Sequence, residues 1–210
     1  MIQQENPPYV SEIINYSDLG FYSGIELQVF APEWYYSGKR SSEYSKIVLE
    51  SKTKDCSDKL IPFVKRTIDE LKKQHKIWSI DLIAIVPKHD STYSPTLNSL
   101  GKVIANYLSS KYDNIIRKKA SGDRRNAGSQ DLQSRYDKTK GSLELTRNLN
   151  LTEKNILIID DLKVTGLTLL ETAHNLIKSG ASHIFCICLG INKHIDAPQT
   201  KSKNRCTTTP

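Results

Sequence analysis

The part of the chain that most constrains the fold is the stretch from residue 155 to residue 191. An apolar run at residues 156–159 is followed by a short turn, an amphipathic segment at residues 167–178 and a second apolar run at residues 183–189. Short apolar runs are typical of buried strands, whereas apolar residues at three- to four-residue steps indicate a helix. A strand, a helix and a strand in this order predict two parallel strands joined by a helix that covers the sheet.

The same alternation continues towards the N-terminus of this stretch. The further predicted elements are a helix at residues 57–74, a buried strand at residues 80–87, a helix at residues 97–108, a short strand at residues 112–119 and an edge strand at residues 143–145. Buried strands that alternate with amphipathic helices indicate an α/β fold. We therefore predict a doubly wound, mostly parallel sheet with helices on both faces.

Both ends of the chain lack this alternation. Residues 1–56 are rich in tyrosine and have no clean period, with short strands or turns expected near residues 25–30 and a helix near residues 44–49. We predict that they form a small N-terminal hood or cover on a core of residues 57–191. Residues 192–210 are polar and end in a threonine run, which predicts a disordered tail.

Charge and composition indicate an anionic partner and a cytoplasmic location. The net charge is +7, and the sequence RKKASGDRR at residues 117–125 combines five basic residues with one aspartate, which predicts a basic loop. The polar start MIQQENPPYV is unlike a secretory signal, and no apolar run is long enough to span a membrane. The four cysteines have neither the spacing of a metal site nor the density of a disulfide scaffold.

Two carboxylates stand where the apolar run at residues 156–159 ends. In an open α/β sheet, ligands bind outside the carboxyl ends of the strands, and Asp160 and Asp161 occupy such an end. The turn into the next helix supplies unpaired backbone N–H groups for an anion, Gly166 allows close approach of the backbone, and Thr165 and Thr168 add hydroxyl groups. This half of the motif therefore predicts a phosphate-binding turn.

The carboxylates would repel a phosphate, so we expect them to face hydroxyl groups or a cation of the same ligand. A phosphorylated sugar meets both conditions, with its phosphate in the turn and its hydroxyls on the acids. An acidic residue at a helix start is also common without any ligand, because it stabilises the helix dipole. A P-loop is excluded, since no G-x-x-x-x-G-K-[ST] sequence occurs.

The stretch ILIIDDLKVTGLT at residues 156–168 resembles the phosphoribosyl-pyrophosphate (PRPP) binding motif of type I phosphoribosyltransferases, in which apolar residues precede two acids and a threonine-rich turn. The sequence IVPKH at residues 85–89 is placed like the strand and proline before the pyrophosphate loop of the competence-associated ComF-like branch. That branch also has an arginine, a glutamine and leucine pair and a second arginine at a similar spacing to Arg117, Gln130, Leu132 and Arg135, with Gly141 after them. The resemblance covers roughly residues 80–189.

This resemblance implies a pentosyltransferase of nucleotide metabolism, which moves the phosphoribosyl group of PRPP to a nucleobase or amine and releases pyrophosphate. Mg²⁺ would be bound mainly through the substrate, with no direct set of protein ligands. Asp160 and Asp161 would act as the catalytic residues that hold the ribose hydroxyls. The 5-phosphate would be bound by Lys163, Val164, Thr165, Gly166, Leu167 and Thr168. The pyrophosphate would meet Lys88 or a flexible loop that carries Arg117, Arg124, Arg125 and Arg135.

The sequence departs from the family pattern at three points. Val164 stands where the family usually has the first threonine of the turn, and Leu167 replaces a small residue. The four-cysteine zinc module of the ComF-like branch is missing, because no cysteine precedes Cys56. Alternatives therefore remain: a non-catalytic PRPP- or nucleotide-binding regulator, an inactive partner subunit, or a DNA-uptake accessory protein that binds single-stranded nucleic acid. A homodimer is the expected assembly.

Overall fold

The computed structural model describes residues 9–36, 41–74, 79–88, 92–119 and 131–192. The strands are β1 (Val10–Ile14), β2 (Leu27–Ala31), β3 (Trp34–Tyr35), β4 (Leu82–Ile85), β5 (Lys111–Tyr112), β6 (Ile116–Lys118), β7 (Leu143–Leu145), β8 (Asn155–Lys163) and β9 (His183–Asn192). The helices are α1 (Glu43–Glu50), α2 (Ser57–Gln74), α3 (Pro95–Leu108), α4 (Leu132–Thr139) and α5 (Leu167–Lys178). No helix among the described residues is long and apolar enough to cross a membrane.

A seven-stranded sheet forms the centre of the molecule. Its strands follow the order β1-β2-β9-β8-β4-β5, and β3 pairs with the end of β9. The described strands of this sheet pair in parallel, except that β1 runs antiparallel to β2. β6 and β7 form a separate two-stranded antiparallel sheet. The predicted α/β class with a mostly parallel sheet is confirmed.

The chain reverses its direction of travel across the sheet between β4 and β8. From β4 it passes through α3 to β5, on one side, whereas from β8 it passes through α5 to β9, on the other side. Crossovers of one hand that run in opposite directions place their helices on opposite faces of the sheet. A crevice opens at such a reversal outside the carboxyl ends of the two strands, and this is where α/β proteins bind ligands.

The two faces of the sheet have separate apolar cores, because successive side chains of a strand point to opposite sides. Ile156 and Ile158 of β8 pack with α5 on one face, and Leu157 and Ile159 pack with α1, α2 and α3 on the other. The helical spacing in α2 is confirmed by four fully buried side chains, which are Leu60, Val64, Ile68 and Leu71. Cys186 and Cys188 are fully buried, as expected of cysteines that only pack.

Several features of the N-terminal part and of the centre of the chain were not predicted. β1, β2 and β3 belong to the main sheet, although they come from the segment in which we expected a hood or cover. The strand predicted at residues 112–119 is divided into β5 and β6, which lie in different sheets. Asn192 still belongs to β9. The remainder of the predicted tail, together with Arg124 and Arg125 of the predicted basic loop, lies outside the described residues.

Candidate functional site

The site begins where β8 extends beyond its neighbour β4. Pairing between these strands ends at Ile85 and Ile159, but β8 continues to Lys163 while it stays paired with β9 on its other edge. The chain after β4 makes one more backbone hydrogen bond to β8, from the Val86 amide to the Ile159 carbonyl at 3.2 Å, and leaves the strand at Pro87 and Lys88. Asp160 and Asp161 therefore lie in the crevice at the point where the chain reverses across the sheet, although they lie within β8 and not directly after the strand, where the sequence placed them.

Each carboxylate of the pair accepts a hydrogen bond from the next backbone N–H group. Asp160 Oδ1 accepts from the amide of Asp161 at 2.8 Å, and Asp161 Oδ1 accepts from the amide of Leu162 at 2.6 Å. The pKa of Asp160 is raised above its ordinary value, first because the carboxyl is buried and then because Asp161 is a nearby negative charge. The second oxygen of Asp161 lies 3.9 Å from Lys52 Nζ.

A turn of three residues, Val164, Thr165 and Gly166, joins β8 to α5. Gly166 occupies the position before the first helical residue and has φ of +80°, a left-handed conformation that other residues adopt at a cost. A Cβ atom at this position would lie 2.1 Å from Cδ1 of Ile14. Glycine is therefore required here both by the backbone and by the close approach of β1.

Residues at alternate positions of the N-terminal segment hold this turn from behind. Glu12 Oε1 lies 2.6 Å from the Nζ of Lys163, Ile14 packs against Gly166, and the hydroxyl of Tyr16 donates to the carbonyl of Thr165 at 2.8 Å. We call Glu12, Ile14 and Tyr16 the clamp. No pattern in the sequence indicates the clamp, because its contacts join parts of the chain about 150 residues apart.

The residues predicted to bind the phosphate differ in what their side chains contact. Thr165, Gly166 and Thr168 line a cleft in front of the turn. Lys163 also borders this cleft, but its side chain is only 5% exposed and its amino group is bound to Glu12. Val164 is half-buried and lines the cleft, whereas Leu167 is buried in the apolar core.

Two clefts meet at Asp160. The first, which we call the turn cleft, has a volume of about 320 Å³ and lies between the turn and the α4 side chains Arg135, Lys138 and Thr139. The second, which we call the lysine cleft, has a volume of about 460 Å³ and contains both carboxylates together with Lys52, Lys88 and Lys118. Asp160, Leu162 and Thr168 line both clefts, so the two form one continuous crevice.

The predicted cations are only partly brought together. Lys88 lines the lysine cleft and donates to the carbonyl of Lys52 at 3.1 Å, and Arg135 lines the turn cleft. Arg117 is exposed, and its Nε atom lies 2.8 Å from Glu144 Oε1, away from the described lining of both clefts. Sequence reasoning missed Lys52, Lys118 and Lys138. Of these, only Lys118 carried a signal, since it belongs to the basic run at residues 117–125.

The residues of the crevice suit a magnesium ion that arrives with a phosphorylated ligand. Within the described part of the chain, no cluster of three or more histidine, cysteine or acidic side chains is arranged to enclose a metal. Mg²⁺ is commonly bound through one or two carboxylates together with substrate phosphates and water. Asp160 and Asp161, beside clefts lined by cationic side chains, provide such a partial set of ligands.

Comparisons with known proteins give little further guidance. No protein-family model matches the chain, and no curated protein matches it. The chain is similar to a solved structure described as that of the allosteric regulatory enzyme of purine biosynthesis, with 18% identity and a TM-score of 0.37. The match covers 57% of this chain and 23% of that one, so the chain spans less than a quarter of that protein. These comparisons do not assign a family, and they do not support the ComF-like branch.

Proposed function

We propose that this protein binds PRPP together with Mg²⁺ and transfers the phosphoribosyl group to a nitrogen nucleophile, a nucleobase or an amine, with release of pyrophosphate. The observation that carries the proposal is the continuous crevice in which Asp160 separates a phosphate-type turn from a group of lysines. A ligand that fits needs an anion at each end and hydroxyl groups between them. PRPP has this arrangement.

The turn cleft suits the 5-phosphate. The turn precedes the N-terminus of a helix of twelve residues, whose first backbone N–H groups and dipole favour an anion. Arg135 and Lys138 of α4 face the turn across the cleft and add positive charge. The hydroxyl group of Thr168 adds a further donor at the border of the two clefts. The missing hydroxyl at Val164 leaves the backbone donors of the turn in place.

The carboxylate pair suits the ribose hydroxyls, and the lysine cleft suits the pyrophosphate. A carboxylate accepts hydrogen bonds from hydroxyl groups and stabilises the positive charge that develops on the ribose in the transition state. Lys52, Lys88 and Lys118 would bind the negative charge of the leaving pyrophosphate. When bound, Mg²⁺ would neutralise phosphate charge next to these residues.

The reaction requires positioning more than proton transfer. The bond from C1 of the ribose to the pyrophosphate oxygen breaks, the bond from C1 to the acceptor nitrogen forms, and the nitrogen loses a proton. Asp160 and Asp161 orient the ribose while the turn fixes its 5-phosphate, which keeps C1 in reach of the acceptor. The protein's part in the chemistry is therefore electrostatic and geometric.

Calorimetric titration with PRPP tests the proposal. We expect the natural protein to bind PRPP in the presence of Mg²⁺, and the variant Asp160→Asn/Asp161→Asn to lose at least about 100-fold in affinity, because two carboxyl acceptors are removed together with the negative charge that they carry beside the bound Mg²⁺. A variant Asp58→Asn, changed at an exposed position of α2, serves as the control and should bind like the natural protein. If the natural protein does not bind PRPP at any magnesium concentration, the proposal is wrong.

A second ligand separates the two ends of the crevice. The variant Lys52→Ala/Lys118→Ala should bind PRPP much more weakly than the natural protein does, but it should bind ribose 5-phosphate as the natural protein does. Ribose 5-phosphate lacks the pyrophosphate that these lysines would contact. An equal loss for both ligands would contradict the orientation given above.

The clamp residue Tyr16 provides a prediction about the turn. The variant Tyr16→Phe removes the hydrogen bond to the carbonyl of Thr165, so we expect the free energy of unfolding to fall by about 1 kcal/mol. PRPP affinity should also fall, by about 5-fold, because the turn loses the contact that fixes its geometry. Burial and the neighbouring Glu12 raise the pKa of Tyr16, so the phenol remains a donor at neutral pH.

The matched control is Tyr112→Phe. Tyr112 is also half-buried and donates to Asn114 Oδ1 at 2.8 Å, but it lies on the edge strand β5 and lines neither cleft. Both variants should lose similar stability in chemical denaturation, and only Tyr16→Phe should weaken PRPP binding. Unchanged PRPP affinity in Tyr16→Phe would show that the clamp does not set the geometry of the turn.

A further inference from the structure

A third cleft lies beside α4, on the side that faces away from the turn cleft. We call it the rear cleft. It has a volume of about 420 Å³. Its walls come from the segment before β2, from Lys119 after β6, from α4 and the turn that follows it, from Leu143 of β7 and from the second half of α5. Its volume is in the range of small-molecule sites. The proposed reaction does not use it, and of the residues that the sequence resemblance named only Gly141 borders it among the described lining.

A buried carboxylate at the base of the rear cleft is fully satisfied by neutral donors. Glu171 is 2% exposed, and it accepts hydrogen bonds from the Tyr22 hydroxyl at 2.7 Å, the Gly141 amide at 2.9 Å and the Asn175 side-chain amide at 3.2 Å. Burial, and then the hydrogen bond to Glu171, raise the pKa of Tyr22, so it stays a donor. Glu171 therefore ties together the walls of the cleft and needs no cation.

The cleft nevertheless has more positive charge than Glu171 can offset. Lys119 follows β6, Lys140 follows α4, and Lys178 ends α5, so three separate segments place a lysine at the same cleft. Among the described residues, the carboxylate that pairs with Lys119 Nζ is the distant Glu144 Oε2, at 4.0 Å. Neither Lys140 nor Lys178 has an acidic partner among the described residues. A concave surface with an excess of cations attracts an anionic ligand.

The wall of the rear cleft also presents a planar ring. His174 is half-buried and lines the cleft, and its ring centroid lies 5.8 Å from that of Tyr22, which supports it from the core side. Tyr22 has φ of +46°, an uncommon conformation for a residue other than glycine. Such strain of about 1–3 kcal/mol persists only where surrounding contacts enforce it, and it is concentrated at functional sites.

From this combination we infer that the rear cleft binds a nucleoside monophosphate, with the phosphate on the lysines and the base against His174. The consequence for regulation rests on the proposed function. α4 gives Arg135, Lys138 and Thr139 to the turn cleft and Tyr136 to the rear cleft. Because one short helix borders both clefts, a nucleotide in the rear cleft changes the affinity of the crevice for PRPP. The change should be about 5-fold or more, which is typical of the coupling between two sites in one protein.

Adenosine 5′-monophosphate (AMP) is the probe, titrated into the full chain by calorimetry and by NMR of the His174 imidazole, whose signal is assigned with His174→Gln. To remove binding at the crevice, the titration uses the Asp160→Asn/Asp161→Asn variant. We expect AMP to bind this variant and to shift the His174 signal. Adding Lys140→Ala/Lys178→Ala to this variant should lower its affinity for AMP at least 10-fold. Adding Lys72→Ala/Lys73→Ala, which changes two exposed lysines at the end of α2, should leave the affinity for AMP unchanged.

The arms of the experiment distinguish the sources of binding. The rear site would be overturned if AMP does not bind the Asp160→Asn/Asp161→Asn variant. It would also be overturned if AMP binds but does not shift the NMR signal of His174. Inorganic phosphate that binds as tightly as AMP would overturn the nucleoside part, and adenosine should bind far more weakly than AMP. Unchanged PRPP affinity at saturating AMP would overturn the coupling. If AMP binds as expected but PRPP does not bind the natural protein, the proposed function fails and the rear site stands.

Discussion

The variant Gly166→Ala is expected to lower the free energy of unfolding by about 3 kcal/mol and to abolish measurable PRPP binding. An alanine at φ of +80° is strained by about 1–2 kcal/mol. Its Cβ atom would also lie 2.1 Å from Cδ1 of Ile14, so Ile14 or the turn must move, at a further cost of about 1–3 kcal/mol. Either movement displaces the backbone N–H groups that would bind the 5-phosphate. Chemical denaturation and calorimetry measure the two effects.

Gly24→Ala separates the backbone effect from the contact with Ile14. Gly24 has φ of +79°, close to that of Gly166, but an added Cβ would meet no atom within 4 Å. This control should lose only the backbone contribution and should bind PRPP normally. Combining Gly166→Ala with Ile14→Val makes room at the contact, so the double variant should lose less stability than the two single variants together. Equal stability losses in Gly166→Ala and Gly24→Ala would show that the clamp does not press on the turn.

The part of the fold that the sequence predicted well is the part with local signals. α5 was predicted with its observed bounds, because apolar residues at three- to four-residue steps between a glycine turn and a basic end can be recognised from neighbouring residues alone. The position of Asp160 and Asp161 followed from the same logic. A strand that continues into an acidic pair and a helix start has few ways to fold within an α/β sheet.

The elements that were missed depend on distant partners. β1 has half-buried and exposed residues at most positions, and it becomes a strand because β2 pairs with it. α4 is mostly polar, and it is fixed by the Asp131 cap at its start and by the single buried residue Tyr136, whose ring stacks on Phe21. β2 begins 13 residues after β1 ends, and Phe21 is more than 100 positions from Tyr136 in the sequence. Periodicity within a short window therefore could not reveal them.

The same reason explains why the sequence named only part of the lining of the candidate site. The acids and the turn are contiguous in the sequence, so one motif named them together. Lys52 follows the end of α1 and lies more than 100 positions before Asp161 in the sequence. It reaches Asp161 because α1 packs on the face of the sheet next to the crevice. The clamp is formed in the same way, by residues of the N-terminal segment. Cations and supports that arrive from other segments carry no pattern of their own.

The variant Asp160→Asn is expected to stabilise the protein while it removes magnesium-dependent PRPP binding. Burial and the charge of Asp161 raise the pKa of Asp160 from 3.8 to about 8 in the folded protein. The folded chain therefore binds more protons than the unfolded chain between these two pH values, and the free energy of unfolding falls as the pH rises through this window. Asparagine carries no charge, so the gain in stability should be small near pH 4 and should grow with pH to at least about 1 kcal/mol at pH 8.

Asp81→Asn is the control with the opposite sign. The backbone N–H of Asn155, and then Lys154, lower the pKa of Asp81, so this carboxylate stabilises the folded protein above its ordinary pKa, and that contribution is lost as the pH falls. Asp81→Asn should therefore destabilise at pH 8 and have little effect at low pH. Denaturation of both variants from pH 4 to pH 9 measures the contrast. If Asp160→Asn lowers the free energy of unfolding at pH 8, contacts within the folded chain stabilise the charged form of Asp160. A cationic ligand is then not needed to neutralise this charge.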